Sequence, residues 1–252
     1  MAVFAPLCLL LCWMLPVVSM TDIPLSMVDT SVDDMYHGCE KEMENRVKTK
    51  YLKKEMSTFS AAWTKAEECS KKKLANREEM LLTKDHMLAI CLYTDNDVYQ
   101  QFNDAVRTGR SQISSSFKFH SLHFLLTSAI KVLNCNVHCR ITYRRTNVKF
   151  IGKVNQIFRF GSFTSSSKRK DLTNFGNKTC FKIKTCFGAF LKHYSYFPKE
   201  EEVLIPPYEM FRITNSKGQI KGLEDCEVVY VVESLGPKNN LNCAALAGSK
   251  TG

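Results

Sequence analysis

The sequence has no internal repeat and no glycine-rich phosphate loop of the Rossmann or P-loop kind. Beyond its first nineteen residues it has no apolar run that approaches membrane length. These absences exclude a repeat solenoid, the commonest dinucleotide and nucleotide folds, and a transmembrane helix in the body of the chain. Paired metal-ligand spacing is also missing. Cys135-x3-Cys139, with His138 between, is the one near match and has no second half-site. The cysteines therefore read as a disulfide framework, and no metal is expected.

What is present describes an ordinary globular chain with a leader. Of 252 residues, 44% are hydrophobic and 24% charged, enough to bury the core of one domain. The formal net charge is +10, but Lys and Arg are scattered apart from Lys71-Lys72-Lys73 and Lys168-Arg169-Lys170. That pattern fits solubility and attraction for an anionic ligand rather than a nucleic-acid partner. Val3 to Val18 is almost wholly apolar, residues 1–19 contain no Asp, Glu, Lys or Arg, and Val17 and Ser19 suit the small positions before a cleavage site. A signal peptide over 1–19 and a mature domain over 20–252 are expected. Residues 242–252 are short, small and polar, with no hydrophobic tail for a lipid anchor, so the expected product is soluble and secreted. Removing Cys8 and Cys12 with the leader takes eleven cysteines to nine, an odd number that leaves at least one thiol free or paired between chains.

The mature chain changes character near its middle. From about 33 to 134, apolar residues recur at helical spacing, with helices expected near 57–80 and 120–133. From about 137 to 246, short alternating segments read as strands at 140–143, 156–160, 179–185, 202–205, 209–214 and 227–234. Helices first and strands afterwards point to an α+β domain. Asn177-Lys178-Thr179 is a glycosylation sequon.

Three motifs in the strand-rich half carry chemistry: Tyr143-Arg144-Arg145-Thr146, the run from Arg159 through Phe163-Thr164-Ser165-Ser166-Ser167, and Glu200-Glu201-Glu202 leading into Val203-Leu204-Ile205. Singly, each has a bland reading as a solvated charge, a turn or surface solvation. Together and in this order they resemble the R-S-E signature of the arginine-specific ecto-ADP-ribosyltransferases. Asp33-Asp34-Met35-Tyr36-His37-Gly38-Cys39, Ala89-Ile90-Cys91-Leu92-Tyr93-Thr94, the segment from Tyr99 to Arg107 and Leu241-Asn242-Cys243 are similar to that family too.

The resemblance implies an ADP-ribosyltransferase fold, with a helical N-terminal part and two small mixed β-sheets around an NAD cleft. It implies NAD as a co-substrate with no permanently bound cofactor, arginine-containing proteins as acceptors, and a monomer. Arg144 would grip the pyrophosphate, where a planar guanidinium can bond two oxygens at once. Ser165 would support the geometry around the catalytic Glu, and Phe175 would pack on the cationic nicotinamide ring. Ser162 and Ser195 stand at positions that contact NAD in relatives. Glu202 would stabilise the positive charge that develops as the ribose–nicotinamide bond breaks. Glu200, two residues earlier and on the same side of an extended segment, would pair with and deprotonate the acceptor arginine. The resemblance also pairs Cys39 with Cys243 and Cys139 with Cys186, leaving Cys69, Cys91, Cys135, Cys180 and Cys226 unassigned.

Two positions depart from the family pattern. Arg145 stands where relatives commonly have Gly, and Ser162 where they often have Gln. A long side chain at 145 is expected to crowd the pocket, so that Arg145→Gly leaves NAD affinity unchanged or improves it. Two other readings stay open: an NAD glycohydrolase with water as acceptor, and an inactive secreted binding protein of the same fold.

Overall fold

The helical half is built around apolar residues that leave little surface to water. The computed structural model describes residues 22–135, 138–216 and 220–247. The expected leader at 1–19 and the last residues, 248–252, lie outside them. Helices α1 (Glu40–Arg46) and α2 (Leu52–Thr58) are joined by a π-helical stretch, Val47–Tyr51. They are followed by α3 (Ser60–Ala75), α4 (Lys84–Thr94), α5 (Tyr99–Thr108) and α6 (His120–Asn134). The helix expected over 57–80 is shorter than that. Phe59 leaves the helical region at φ −120° and ψ 42°, and its ring stacks on Phe119 with centroids 4.8 Å apart.

Helix α4 is the central one. Thr83 caps its start: the Thr83 hydroxyl accepts from the His86 backbone N–H at 3.3 Å, and the Thr83 N–H donates to His86 Nδ1 at 3.1 Å. Every residue from His86 to Thr94 is buried, which a helix tolerates only in the middle of a layer. Cys69–Cys91 staples α3 to α4, a pairing that was not legible in the sequence.

The strand-rich half forms two sheets of unequal size. Strands β1 (Ile23–Pro24) and β3 (Phe150–Ile151) pair in parallel. The larger, mixed sheet holds β2 (Arg140–Thr146), β4 (Ile157–Arg159), β5 (Thr164–Ser167), β6 (Thr179–Thr185), β7 (Ala189–Phe190), β8 (Glu202–Ile205), β9 (Glu209–Asn215) and β10 (Val228–Pro237), in the order β4-β9-β10-β6-β2-β5-β8-β7. Only β6 and β10 run parallel.

The sheet all but divides between β2 and β5. They share one residue pair, Tyr143↔Ser167, whereas β2 and β6 share seven, from Arg140↔Thr185 to Thr146↔Thr179. On one side, Phe158, Phe181, Ile183, Phe211, Ile213 and Val232 build their own apolar core. On the other, Phe163, Ala189, Leu191 and Leu204 join the core of the helical layer. The functional cleft opens along this divide.

Strand β5 was hidden by its composition. A Thr-Ser-Ser-Ser run reads as a turn, yet its hydroxyls are satisfied inside the sheet: Ser166 donates to the Val203 carbonyl at 2.7 Å, and Thr142 to the Ser166 hydroxyl at 3.0 Å. Cys39–Cys243 ties the start of the helical layer to the short helix α7 (Ala244–Ala247), and Cys139–Cys186 closes beside the β2 and β6 ends. Cys180–Cys226 is a fourth bridge, and Cys135 is exposed and unpaired among the described residues.

Candidate active site

The cleft encloses about 290 Å³. Its walls come from the end of α4 and the start of α5 (Tyr93, Asn96, Tyr99), from β2 and β5 (Arg144, Ser165), from the connection after β5 (Arg169, Phe175) and from the approach to β8 (Glu200, Glu202). Arg144, Ser165, Phe175, Glu200 and Glu202, all singled out from sequence, therefore share one cleft. Ser162 and Ser195 are not among its lining residues.

Arg144 spans the divide. Where β2 and β5 part, its guanidinium donates to the Ser165 carbonyl at 2.6 Å, which fixes one end of the fork and leaves the other edge to the cleft. Phe175 sits on the last turn of a short 3₁₀ helix, Thr173–Phe175, 45% exposed. An aromatic face left in water at a cleft mouth is suited to a flat partner.

Glu202 opens β8 and is 6% exposed. Burial pushes its carboxyl above the usual carboxylate range, and the Glu200 charge adds to the rise. Hydrogen bonds from the Ser165 and Ser195 side chains and the charge of Arg144 act in the opposite direction. The Ser195 hydroxyl donates to Glu202 Oε2 at 3.0 Å from a fully buried position. Ser195 thus meets the carboxylate from within the fold instead of lining the cleft. Ser162 is also buried, and its hydroxyl accepts from the Arg107 guanidinium at 3.0 Å.

The two carboxylates reach the cleft by a route other than strand alternation. Glu200 ends a 3₁₀ turn, Pro198–Glu200, and Glu201 takes a left-handed conformation at φ 48° and ψ 48° before β8 begins. That turn, and not an extended segment, brings Glu200 and Glu202 to the same cleft. Glu200 is half-buried, and its carboxyl is raised by burial and partly restored by Arg169. The Lys168 N–H donates to the Glu201 carbonyl at 3.1 Å, and the Ser167 hydroxyl to the Glu200 carbonyl at 2.5 Å, which pin the turn to the end of β5.

The Arg145 guanidinium is taken up by protein acceptors. The side chain is buried, and Nε donates to the Lys170 carbonyl at 2.7 Å, Nη2 to the Gly222 carbonyl at 3.0 Å, and the two Nη atoms to the two oxygens of Asp225 at 2.8 and 3.0 Å. Arg145 lines the cleft beside Arg144, with its guanidinium held by acceptors in the β5–β6 connection and in the loop before β10.

Sequence reasoning gave no role to Tyr93, Thr94, Asn96 and Tyr99, although the segments that hold Tyr93, Thr94 and Tyr99 were part of the resemblance. The Tyr93 hydroxyl donates to the Phe163 carbonyl at 3.1 Å, receives Asn103 Nδ2 at 3.3 Å and lies 3.4 Å from Ser165 Oγ. Thr94 Oγ1 receives the Tyr196 N–H at 2.8 Å, which moors the segment before Glu200 to the helical layer. Asn177, at the sequon, is exposed at the end of the same β5–β6 connection.

Comparison with known proteins shows the family and the fold. The family described as "ART: NAD:arginine ADP-ribosyltransferase" matches residues 25–224. The chicken protein "NAD(P)(+)--arginine ADP-ribosyltransferase 2" is 37% identical over 235 residues, covering 88% of this chain and 73% of its own length. Mouse "Ecto-ADP-ribosyltransferase 5" is 34% identical, covering 90% of this chain and 78% of the relative. Among solved structures, the eukaryotic mono-ADP-ribosyltransferase ART2.2 superposes with a TM-score of 0.75 at 30% identity, over 88% of this chain and 98% of that one. A mutant of the same enzyme in complex with NAD gives 0.71 at 28% identity, over 86% and 96%.

Proposed function

Because this chain belongs to the family of NAD:arginine ADP-ribosyltransferases, we propose that Arg144, Ser165, Glu200 and Glu202 perform that family's reaction in the cleft between β2, β5 and α4. The protein is an NAD-dependent arginine ADP-ribosyltransferase, and NAD is its co-substrate. The observation that carries the division of labour is the meeting of a buried carboxylate, a half-buried carboxylate and a guanidinium in one cleft.

Arg144 holds the pyrophosphate by the edge of its guanidinium that Ser165 leaves free. Phe175 covers the nicotinamide ring. The glycosidic bond between ribose C1′ and the nicotinamide nitrogen breaks, and its electron pair leaves with the ring, neutralising the pyridinium. Positive charge develops on the ribose, and the Glu202 carboxylate, held by Ser165 and Ser195, faces it as an anion. The acceptor guanidinium forms the new C1′–N bond and gives up a proton to Glu200. The raised Glu200 carboxyl is suited to a base that must hold a proton briefly.

The acceptors are arginines of proteins outside the cell, a reading supported by four disulfides and by relatives named ecto-enzymes. No described helix is long and apolar enough to cross a membrane. The reading also takes residues 20–252 as one catalytic domain acting as a monomer. Asn177 is the glycan acceptor, and a mass unchanged by N-glycan release from secreted protein would remove that assignment.

Incubation of the purified protein with labelled NAD and an arginine-rich protein tests the whole reading. Label on arginine with matching nicotinamide release is expected. Nicotinamide release without label would favour hydrolysis, and neither product would favour an inactive binding protein.

A further inference from the structure

One departure from the family pattern at this cleft is a buried arginine, Arg145, whose guanidinium partners are all protein. Arg145 is 7% exposed, and each of its five N–H groups has an acceptor: Lys170 O, Gly222 O, both oxygens of Asp225, and Cys226 Sγ at 3.5 Å. No donor is left over for a phosphate, so Arg145 is not a second anion ligand beside Arg144.

What it holds is informative. Lys170 lies in the β5–β6 connection, one residue after Arg169 and five before Phe175, both of which line the cleft. Gly222, Asp225 and Cys226 lie in the loop before β10. The Lys170 ammonium donates to the Lys221 carbonyl at 3.1 Å and sits 5.2 Å from the Tyr143 ring centroid, so loop and connection also pack on each other. Cys180, the strand partner of Arg145 in β6, is bridged to Cys226 in the same loop. Two tethers, one covalent and one ionic, thus converge from adjacent strands on a single loop. Arg145 extends the tie from β2 through this loop to the wall that carries Arg169 and Phe175.

We propose that Arg145, through its clamp on Lys170, Gly222 and Asp225, is a positioning residue for NAD, fixing the cleft wall that bears Arg169 and Phe175. The proposal rests on the reading that this cleft binds NAD. It reverses the sequence-based expectation for Arg145→Gly: removing the side chain relieves no crowding and releases the wall.

A buried bidentate ion pair also serves stability, so the test must separate folding from positioning. Arg145→Gln and Asp225→Asn are prepared with wild type, and NAD dependence of nicotinamide release is measured at a temperature where all are folded by circular dichroism. Asp225 is 46% exposed on its side chain and outside the cleft lining, so Asp225→Asn keeps the test open should Arg145→Gln fail to fold. The expected result is a rise in KM for NAD of about tenfold in each variant, a kcat within about threefold of wild type, and an unchanged KM for a small guanidino acceptor. A lowered melting temperature with KM for NAD within twofold of wild type in the folded variants would overturn the proposal and leave Arg145 a stabilising residue only. A wild type that neither cleaves nor binds NAD would overturn the proposed function itself, and the clamp's role with it.

Discussion

Ser195 Oγ donates to Glu202 Oε2 at 3.0 Å, from a buried side chain that does not line the cleft. The same hydroxyl receives the Phe197 N–H at 3.3 Å, so it is bonded on both sides. Its one proton is directed at the carboxylate. Ser195 therefore stabilises the ionised form of Glu202 and holds its orientation, while the rest of the carboxylate meets the cleft.

A pH-dependent consequence follows. Burial raises the Glu202 carboxyl, and the Ser195 hydrogen bond lowers it. Activity that needs the anion should fall as pH falls through this raised value, so the acid limb should lie above the ordinary carboxylate range. Removing the donor in Ser195→Ala removes a lowering influence. The acid limb should move to higher pH, with kcat reduced several-fold near neutrality and KM for NAD little changed. An acid limb at the wild-type position would show that Ser195 does not tune Glu202.

Outside the cleft lining, Arg159 and Asp33 form an ion pair at 2.6 Å with both side chains fully buried. Asp33 also accepts from the Asn240 side chain and from the Asn240 and Leu241 N–H groups, which anchors the C-terminal segment. Arg159→Met leaves that carboxylate without its charged partner. Removing one member of a buried pair typically costs about 3–5 kcal/mol. Chemical denaturation should show a loss of that order, with KM for NAD unchanged in the folded fraction. A loss below about 1 kcal/mol would mean that the N–H donors around Asp33 suffice without Arg159.

Cys39–Cys243 closes a loop of 204 residues. In the chain-entropy picture a loop this long stabilises by about 5 kcal/mol. Cys39→Ser with Cys243→Ser should lower the denaturation midpoint accordingly while the β2–β5 cleft keeps its NAD dependence. Equal midpoints for variant and wild type would show that the surrounding contacts, such as Asp34 Oδ1 with the Cys243 N–H at 3.1 Å, already hold the segment.

The sequence made some of this legible and hid the rest for physical reasons. Arg144, Ser165, Glu200 and Glu202 could be found because their motifs are local and distinctive, and the structure brings all four to one cleft. The helical and strand-rich halves showed through periodicity, with strand β5 obscured by its Ser-rich composition. The clamp made by Arg145 could not be read, since its partners lie 25 and about 80 residues away and only the fold brings them together. The Cys69–Cys91 and Cys180–Cys226 pairs depended in the same way on distances that only the fold sets. Glu200 was placed on the right side for the wrong reason, because a left-handed Glu201 achieves what strand alternation was expected to do.

The division of labour between the two carboxylates is the central claim, and one parallel experiment tests it most directly. Glu202→Gln and Glu200→Gln are compared with wild type, at equal folding, for nicotinamide release and for labelling of an arginine acceptor. Glu202→Gln is predicted to abolish both, since transfer and hydrolysis share the bond-breaking step. Glu200→Gln is predicted to lower labelling by about 10²- to 10⁴-fold, the usual contribution of a positioned base, while slow nicotinamide release persists. Loss of nicotinamide release in Glu200→Gln as complete as in Glu202→Gln, or full arginine labelling without Glu200, would contradict the account.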